Sequence, residues 1–286
     1  MLQASTIQLL RFKFSFFLMP VFWFAFSQVK SIHLANSILL FIILHLLLYP
    51  ASNGYNSFMD KDTQSIGGIK NPLPATTQLF YVTLIMDIAA LLLSFVISWY
   101  MAMGILSFIL ASRAYSYRGI RLKKYAVISF FITMLFQGAL VFFLTYHGSN
   151  SLKALNAPFL ALLSSSLLVG SFYPLTQIYQ HKQDEADGVI TLSKKLGYTG
   201  TFIFSGIIFV AAMSSLALYF YTIQQQLYFT LFSLIMLPTL FYYFWWFAKV
   251  IKNNAYANFV NTMKMNIIAS ICTNAGFITI LIIEKF

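Results

Sequence analysis

"NSILLFIILHLLLYPASNGYNSFMDKDTQ", Asn36 to Gln64, contains no formally charged residue until Asp60, and Asp62 follows two positions later. A helix crossing the hydrocarbon core of a bilayer needs roughly 20 apolar residues, and positions 34–55 supply such a run. The acids that follow are conspicuous because Asp and Glu together number 7 in 286 residues. They either mark a solvated turn after a membrane helix or grip something.

The whole chain has the same character. Hydrophobic residues make up 59%, charged residues 9%, and mean hydropathy is +0.78, against about 45–50% and about 25% in soluble domains. The sequence reads as an all-α, multi-pass membrane bundle forming a single domain over 1–286. Nine candidate spans lie near 14–29, 34–55, 79–97, 99–116, 125–146, 156–178, 200–221, 226–248 and 266–283. Barrel strands fit poorly, since the runs are long and do not alternate in segments of about 10 residues. The net charge of +11 sits in short connections between apolar runs, which argues for a membrane surface and against nucleic acid as partner. The single cysteine, Cys272, permits no internal disulfide and reads as a packed thiol.

Placing the N-terminus inside puts all but Lys30, Lys153 and Lys285 of the 18 Lys and Arg residues on the cytoplasmic side, as the positive-inside rule requires. The expected location is the cytoplasmic (inner) membrane, with the C-terminus outside. Five of the acids, Asp60, Asp62, Asp184, Glu185 and Asp187, fall on the inner side in two connections. Insertion does not require this, because acids contribute little to topology.

If the second helix continues beyond the apolar run, Asn56, Asp60 and Gln64 share a face at i, i+4 spacing. The connection after span six, "YPLTQIYQHKQDEADGVITLSKKLG" (Tyr173 to Gly197), repeats the arrangement with Gln180, Asp184 and Asp187 or Gly188, and His181 lies beside them. Two such oxygen-rich faces, if they meet, suit Mg²⁺, which is commonly held by one or two carboxylates plus substrate phosphates; two independent wet loops are the alternative. Between them "SRAYSYRGIRLKKY", Ser112 to Tyr125, carries five cations from Arg113 to Lys124. These serve either as an orientation signal drawn to anionic lipid or as a clamp on phosphate oxygens. Within the spans, Asp87 must face the bundle interior, and Gln137 and Asn274 either line a site or join helices. The segment from Asn253 to Asn266 is a candidate to bring Asn261 and Lys264 beside a cavity.

These motifs resemble those of the UbiA superfamily of intramembrane prenyltransferases, which have nine transmembrane helices, aspartate-rich motifs after helices two and six, and a central cavity opening sideways to lipid. The first motif, Asn-Asp-x-x-Asp-x-x-x-Asp, corresponds to Asn56, Ser57, Asp60 and Gln64 and runs into Lys70-Asn71-Pro72. The second, Asp-x-x-x-Asp followed by Gly, Thr-Leu and Leu-Gly, corresponds to Gln180, Asp184, Gly188, Thr191-Leu192 and Leu196-Gly197. Tyr115-Ser116 and Arg121-Leu122-Lys123 match the connection after helix four, and Arg11 and Pro20 resemble the start of the first helix. Ser57, Gln64 and Gln180 replace family aspartates, while Asp62 and Asp187 are additional carboxylates.

The resemblance implies Mg²⁺-dependent transfer of a polyprenyl group from its diphosphate to a small aromatic or lipid-like acceptor, in isoprenoid quinone or related lipid synthesis. It implies catalytic roles for Asp60, Asp184, Arg121 and Lys123, and metal ligation by Asp60, Asp62, Asp184 and Asp187. Substrate contacts fall to Asn56, Gln64, Arg118, Gln180, His181 and Lys264. A membrane transporter and a lipid-binding member with a degenerate site are the competing readings. Concentration of ionisable groups at one face and the odd span count argue against a transporter.

Overall fold

Hydrocarbon offers the backbone no hydrogen bonds, so a long apolar run satisfies its N–H and C=O groups most simply as a helix. The computed structural model describes residues 1–61 and 63–285, and among these it is helical, with isolated bridges but no strand. Asp62, one of the expected metal ligands, lies outside the described residues.

The chain order is α1 (Ala4–Ser27), α2 (Leu34–Asp60), α3 (Thr77–Ile97), α4 (Trp99–Ser116), α5 (Ala126–Ser149), α6 (Phe159–Gln177), α7 (Leu192–Thr222), the bent pair Gln226–Ile235 and Leu237–Lys252 as α8, and α9 (Phe259–Lys285). Among the described residues seven helices are long and apolar enough to cross a membrane, or eight with the 45° bend of α8 inside one span. The remaining expected span is α4, whose 18 residues include Arg113, Tyr115 and four serines or tyrosines more. Its polar end accounts for the lower count. Spans three and four are separated only by Ser98, in extended conformation, whose hydroxyl accepts the Met101 N–H at 3.0 Å and so caps α4.

Several irregularities shape the interior, among them a π-helical stretch at Ile42–Leu48 of α2 and a kink at Gly197 (φ 68) of α7. In α1 the helix breaks at Arg11, which is left-handed (φ 50), and resumes through a tight stretch, Phe12–Leu18, before Pro20. In α5 a π-helical turn spans Met134–Leu140, where a Cβ on Gly138 would lie 2.4 Å from the Ser166 Cα of α6. The same contact lets Ser166 Oγ accept the Ala139 N–H at 3.0 Å, satisfying a group on the widened turn. α8 bends before Pro238, which lacks an N–H to continue the ladder. α1 packs on α9 through stacked Phe24 and Phe277, with centroids 4.4 Å apart. The connections after α2, α4 and α6 meet at one end of the bundle, over a cavity.

Candidate active site

On α2, Asn56 and Asp60 face inward one turn apart. The Asn56 amide donates to Ser116 Oγ at 3.1 Å and Ser52 bonds Ser112 at 2.7 Å, so the carboxylate-bearing end of α2 is docked on α4. The helix stops at Asp60, because Lys61 turns left-handed (φ 53, ψ 43). Gln64 therefore does not continue the Asn56–Asp60 face; it lies exposed in the following loop.

After α6 ends, a short helix, His181–Ala186, carries the second acid set. Gly188 (φ 69) terminates it: its N–H donates to the Glu185 carbonyl at 3.0 Å and the Val189 N–H to the Asp184 carbonyl at 2.8 Å. This is a Schellman termination, with the glycine in the left-handed position that a side chain would strain. Asp184 lines the cavity. Gln180 donates through Nε2 to the Ser65 carbonyl at 3.3 Å, tying the second acidic connection to the first.

The basic connection lies across both. Lys123 Nζ is 2.5 Å from Asp60 Oδ1, and Arg121 Nη2 is 3.8 Å from the same oxygen. Arg121 also ion-pairs with the Asp187 carboxylate and donates through Nη1 to its carbonyl at 3.0 Å. Arg118 Nε donates to the Met59 carbonyl at 2.7 Å, with its Nη2 3.6 Å from Asp187 Oδ1. Backbone pairing of Tyr125 with Ile190 closes the assembly. Asp187 is thus turned toward the arginines rather than into the cavity. Glu185 is turned away too, toward Lys194 at 2.7 Å, which lowers its carboxyl pKa.

Beneath this cap is a cavity of about 330 Å³. Arg11, Asp60, Lys123 and Asp184 are the charged residues that line it among those described, with Asn56 and Gln180 between them. Phe14, Phe17, Phe24 and Phe108 supply much of the apolar wall. Gln137 also faces the cavity, whereas Asn274 donates to the Phe16 carbonyl at 3.3 Å and joins α9 to α1.

A profile of the UbiA prenyltransferase family matches residues 17–268. The chain belongs to that family. Its fold is shared with solved structures of low identity. A UbiA homologue from Archaeoglobus fulgidus bound to GPP and Mg²⁺ is 15% identical with a TM-score of 0.72, over 97% of this chain and 99% of that one. A UbiA homologue from Aeropyrum pernix K1 is 18% identical with a TM-score of 0.69, over 94% and 98%. A structure concerned with digeranylgeranylglyceryl phosphate synthase is 18% identical with a TM-score of 0.63, over 97% and 96%. No curated protein sequence matches the chain.

In this UbiA-family protein several expected contacts fall outside the cavity. His181 is 5% exposed, stacked on Tyr198 with centroids 4.9 Å apart, and bonded to Ser193 Oγ at 2.7 Å. Burial, helped by nearby Lys194, pushes its imidazole down to about 4, so it is neutral near pH 7. Lys264 is exposed, and Asn261 bonds the Tyr256 carbonyl at 3.0 Å. The cavity face of α9 instead passes through Met263, Asn266, Ser270 and Thr273, spacings of three and four that exclude positions 261 and 264.

Three features escaped sequence reasoning. Arg11 was visible only as a resemblance at the start of the first helix, yet its guanidinium reaches the Asn53 carbonyl at 3.0 Å across the broken turn of α1. Tyr115 and Tyr173 join hydroxyls at 2.5 Å on the cavity wall; no local spacing signals a contact between α4 and α6. Asp87 finds its partner in Arg113, an ion pair between α3 and α4, and the guanidinium lies 3.9 Å from the centroid of the Tyr55 ring.

Proposed function

We propose that the protein transfers a polyprenyl group from a polyprenyl diphosphate to a small aromatic acceptor, in isoprenoid quinone or related lipid biosynthesis. The observation that carries this reading is the meeting of Asp60 and Asp184 with Lys123 at the capped end of a cavity whose walls are otherwise largely apolar. Membership of the prenyltransferase family supports the reaction type.

The donor set fits Mg²⁺. Asp60 and Asp184 both line the cavity, and Mg²⁺ is commonly held through one or two carboxylates and completed by substrate oxygens. Asp60 Oδ1 is buried without a hydrogen bond of good geometry, its compensation being the Lys123 ammonium. Asn56 and Gln180 spend their amide N–H groups on Ser116 and Ser65, which leaves the amide oxygens as acceptors. Asp60 and Asp184 would hold the ion, with Asn56 and Gln180 assisting. Structures of the Archaeoglobus fulgidus homologue bound to DMAPP or GPP with Mg²⁺ support the pairing of metal with prenyl diphosphate. When bound, Mg²⁺ supplies neutralisation of charge on the departing diphosphate.

The protein's own groups do the rest. Lys123, Arg121 and Arg118 exchange carboxylate and carbonyl partners for phosphate oxygens, offering charge-assisted hydrogen bonds to the leaving group. As the allylic C–O bond opens, its electron pair leaves with the diphosphate, and the electron-rich ring attacks the allylic carbon before losing a proton. The phenylalanine walls keep water from the cation in the interval. A long prenyl tail is favoured because each buried methylene contributes about 0.8 kcal/mol. In the membrane we place the N-terminus and the cap on the cytoplasmic side, from the distribution of Lys and Arg.

The test is a product assay with purified protein, Mg²⁺ and geranylgeranyl diphosphate, offering hydroxybenzoate, dihydroxynaphthoate, 1,4-dihydroxynaphthalene and a glycerol-phosphate lipid. A prenylated ring is the expected product. Exclusive transfer to the glycerol-phosphate lipid would refute the aromatic acceptor while leaving prenyl transfer standing.

A further inference from the structure

A second cavity, of about 870 Å³, lies between α6, α7 and the bent α8 and touches α9 at Met265. Among the described residues Phe172 alone lines both this cavity and the central one, so one aromatic side chain stands between them. Ile207, Leu237 and Phe244 of its lining are exposed, and in a membrane-spanning bundle that side faces hydrocarbon.

Among the described residues its lining carries no charge, but it carries hydroxyls of two kinds. Ser171 and Ser233 donate to the Leu168 and Phe229 carbonyls at 2.7 and 2.8 Å, the usual bond of a helix hydroxyl to a carbonyl one turn back. Ser205 and Thr239 do not: each is 1% exposed, and Ser205 Oγ and Thr239 Oγ1 are buried without a hydrogen-bond partner. The two flank one crossing of α7 on α8. A Cβ on Gly206 would lie 2.9 Å from the Tyr243 hydroxyl; Ser205 precedes that glycine, and Thr239 is one turn from that tyrosine. A buried hydroxyl left without a partner is costly, so this pair points to an oxygen that the protein does not supply.

Depth and charge define that oxygen. Thr239 lies midway between Gln226 and Lys252, the ends of α8, and Ser205 falls in the middle third of α7. With a rise of about 1.5 Å per residue, both sit well inside a hydrocarbon core about 30 Å thick. A phospholipid headgroup stays at the interface, and a charged group at this depth would be desolvated without a counter-ion. A neutral carbonyl or hydroxyl on an apolar body meets every condition. We propose that this cavity is a second binding site, for a neutral lipid of the quinone or quinol type whose ring oxygens bond Ser205 and Thr239 and whose isoprenoid tail lies along the apolar lining. That is the chemistry of a ring prenylated in the neighbouring cavity, beyond Phe172, so the site receives the product. The choice of occupant rests on the prenyl-transfer reading; the existence of the site does not.

Equilibrium binding to the full-length protein in nanodiscs, read against empty nanodiscs, tests it. The probes are 2-geranyl-1,4-naphthoquinone and its hydrocarbon counterpart 2-geranylnaphthalene, with the central cavity filled by geranyl thiolodiphosphate and Mg²⁺. The quinone should bind at least about tenfold more tightly than the hydrocarbon. Ser205→Ala and Thr239→Val should each reduce that preference by at least about threefold, Thr239→Ser should keep it, and all three should leave the Kd of the thiolodiphosphate within about twofold. Equal binding of the two probes, no binding of the quinone, a preference unchanged in both Ser205→Ala and Thr239→Val, or displacement of the quinone by the thiolodiphosphate would each overturn the proposal. Failure of the thiolodiphosphate itself to bind would instead count against prenyl transfer, with the comparison of quinone and hydrocarbon across the variants still readable. Thermal unfolding checks each variant, and Thr239→Val, which keeps the shape of the side chain, decides if Ser205→Ala unfolds.

Discussion

The Asp60 oxygen that lies 2.5 Å from the Lys123 ammonium, Oδ1, is buried with no other close partner than the cations of the basic connection, so its charge is poised between a protein cation and a metal. Asp60→Asn keeps the shape and removes the charge; it should lower kcat/KM for the prenyl diphosphate by at least about 10²-fold, or about 3 kcal/mol of transition-state stabilisation. Steady-state kinetics measures this, and an effect within about threefold would remove Asp60 from the mechanism. His181 makes a different prediction. Its folded-state value, about 4, lies below its ordinary 6.5, so between those values the unfolded chain binds a proton that the fold resists. Stability from this group is full above 6.5 and is lost as pH falls toward 4. Thermal unfolding from about pH 7.5 to 5 should show a downward slope that His181→Gln flattens; an unchanged slope would mean that other groups cause it. Asp60, Asp184 and Lys123 were legible in the sequence because acids are scarce and these three fall on motif positions, although Ser57, Gln64 and Gln180 depart from the family pattern. The pairing of Asp187 with Arg121 was not, since it joins residues 66 apart through two loop conformations.

At the scale of elements, long apolar runs announced the helices, but their interruptions depended on neighbours. The left-handed Lys61 removed Gln64 from the face that helical spacing assigned to it, and the π-helical turn of α5 reflects its contact with α6 at Gly138 and Ser166. Asp87 could be read as inward-facing from its cost in lipid, but its partner came only from the packing of α3 on α4. That pair predicts a stability effect away from the cavity. Asp87→Ala leaves the Arg113 guanidinium largely buried and without its carboxylate, which should cost about 3–5 kcal/mol. Loss of Tyr55 and Asn56 alignment should follow, because Arg113 lies over the Tyr55 ring. Unfolding in mixed micelles measures the cost, and a change below about 1 kcal/mol would show that the pair is not holding the helices.

For the whole molecule, the three connections at one end form a single cap, linked by Arg121 to Asp187, Lys123 to Asp60 and Gln180 to Ser65. Their convergence is what the repeated amide and carboxylate spacing suggested, although the sequence did not reveal that the basic connection would bridge them. Cysteines introduced at Gln183 and Glu284 should label from opposite sides of the membrane, with buried Cys272 contributing little background; labelling from one side would overturn the orientation. The central claim is that the capped cavity activates a prenyl diphosphate by charge neutralisation. Diphosphate release from geranylgeranyl diphosphate by the purified protein, in the presence of acceptor, measures it most directly. Release should require Mg²⁺, stop on chelation and fall by at least about 10²-fold in Asp184→Asn. Release that persists without divalent metal, or that Asp184→Asn leaves unchanged, would contradict the account.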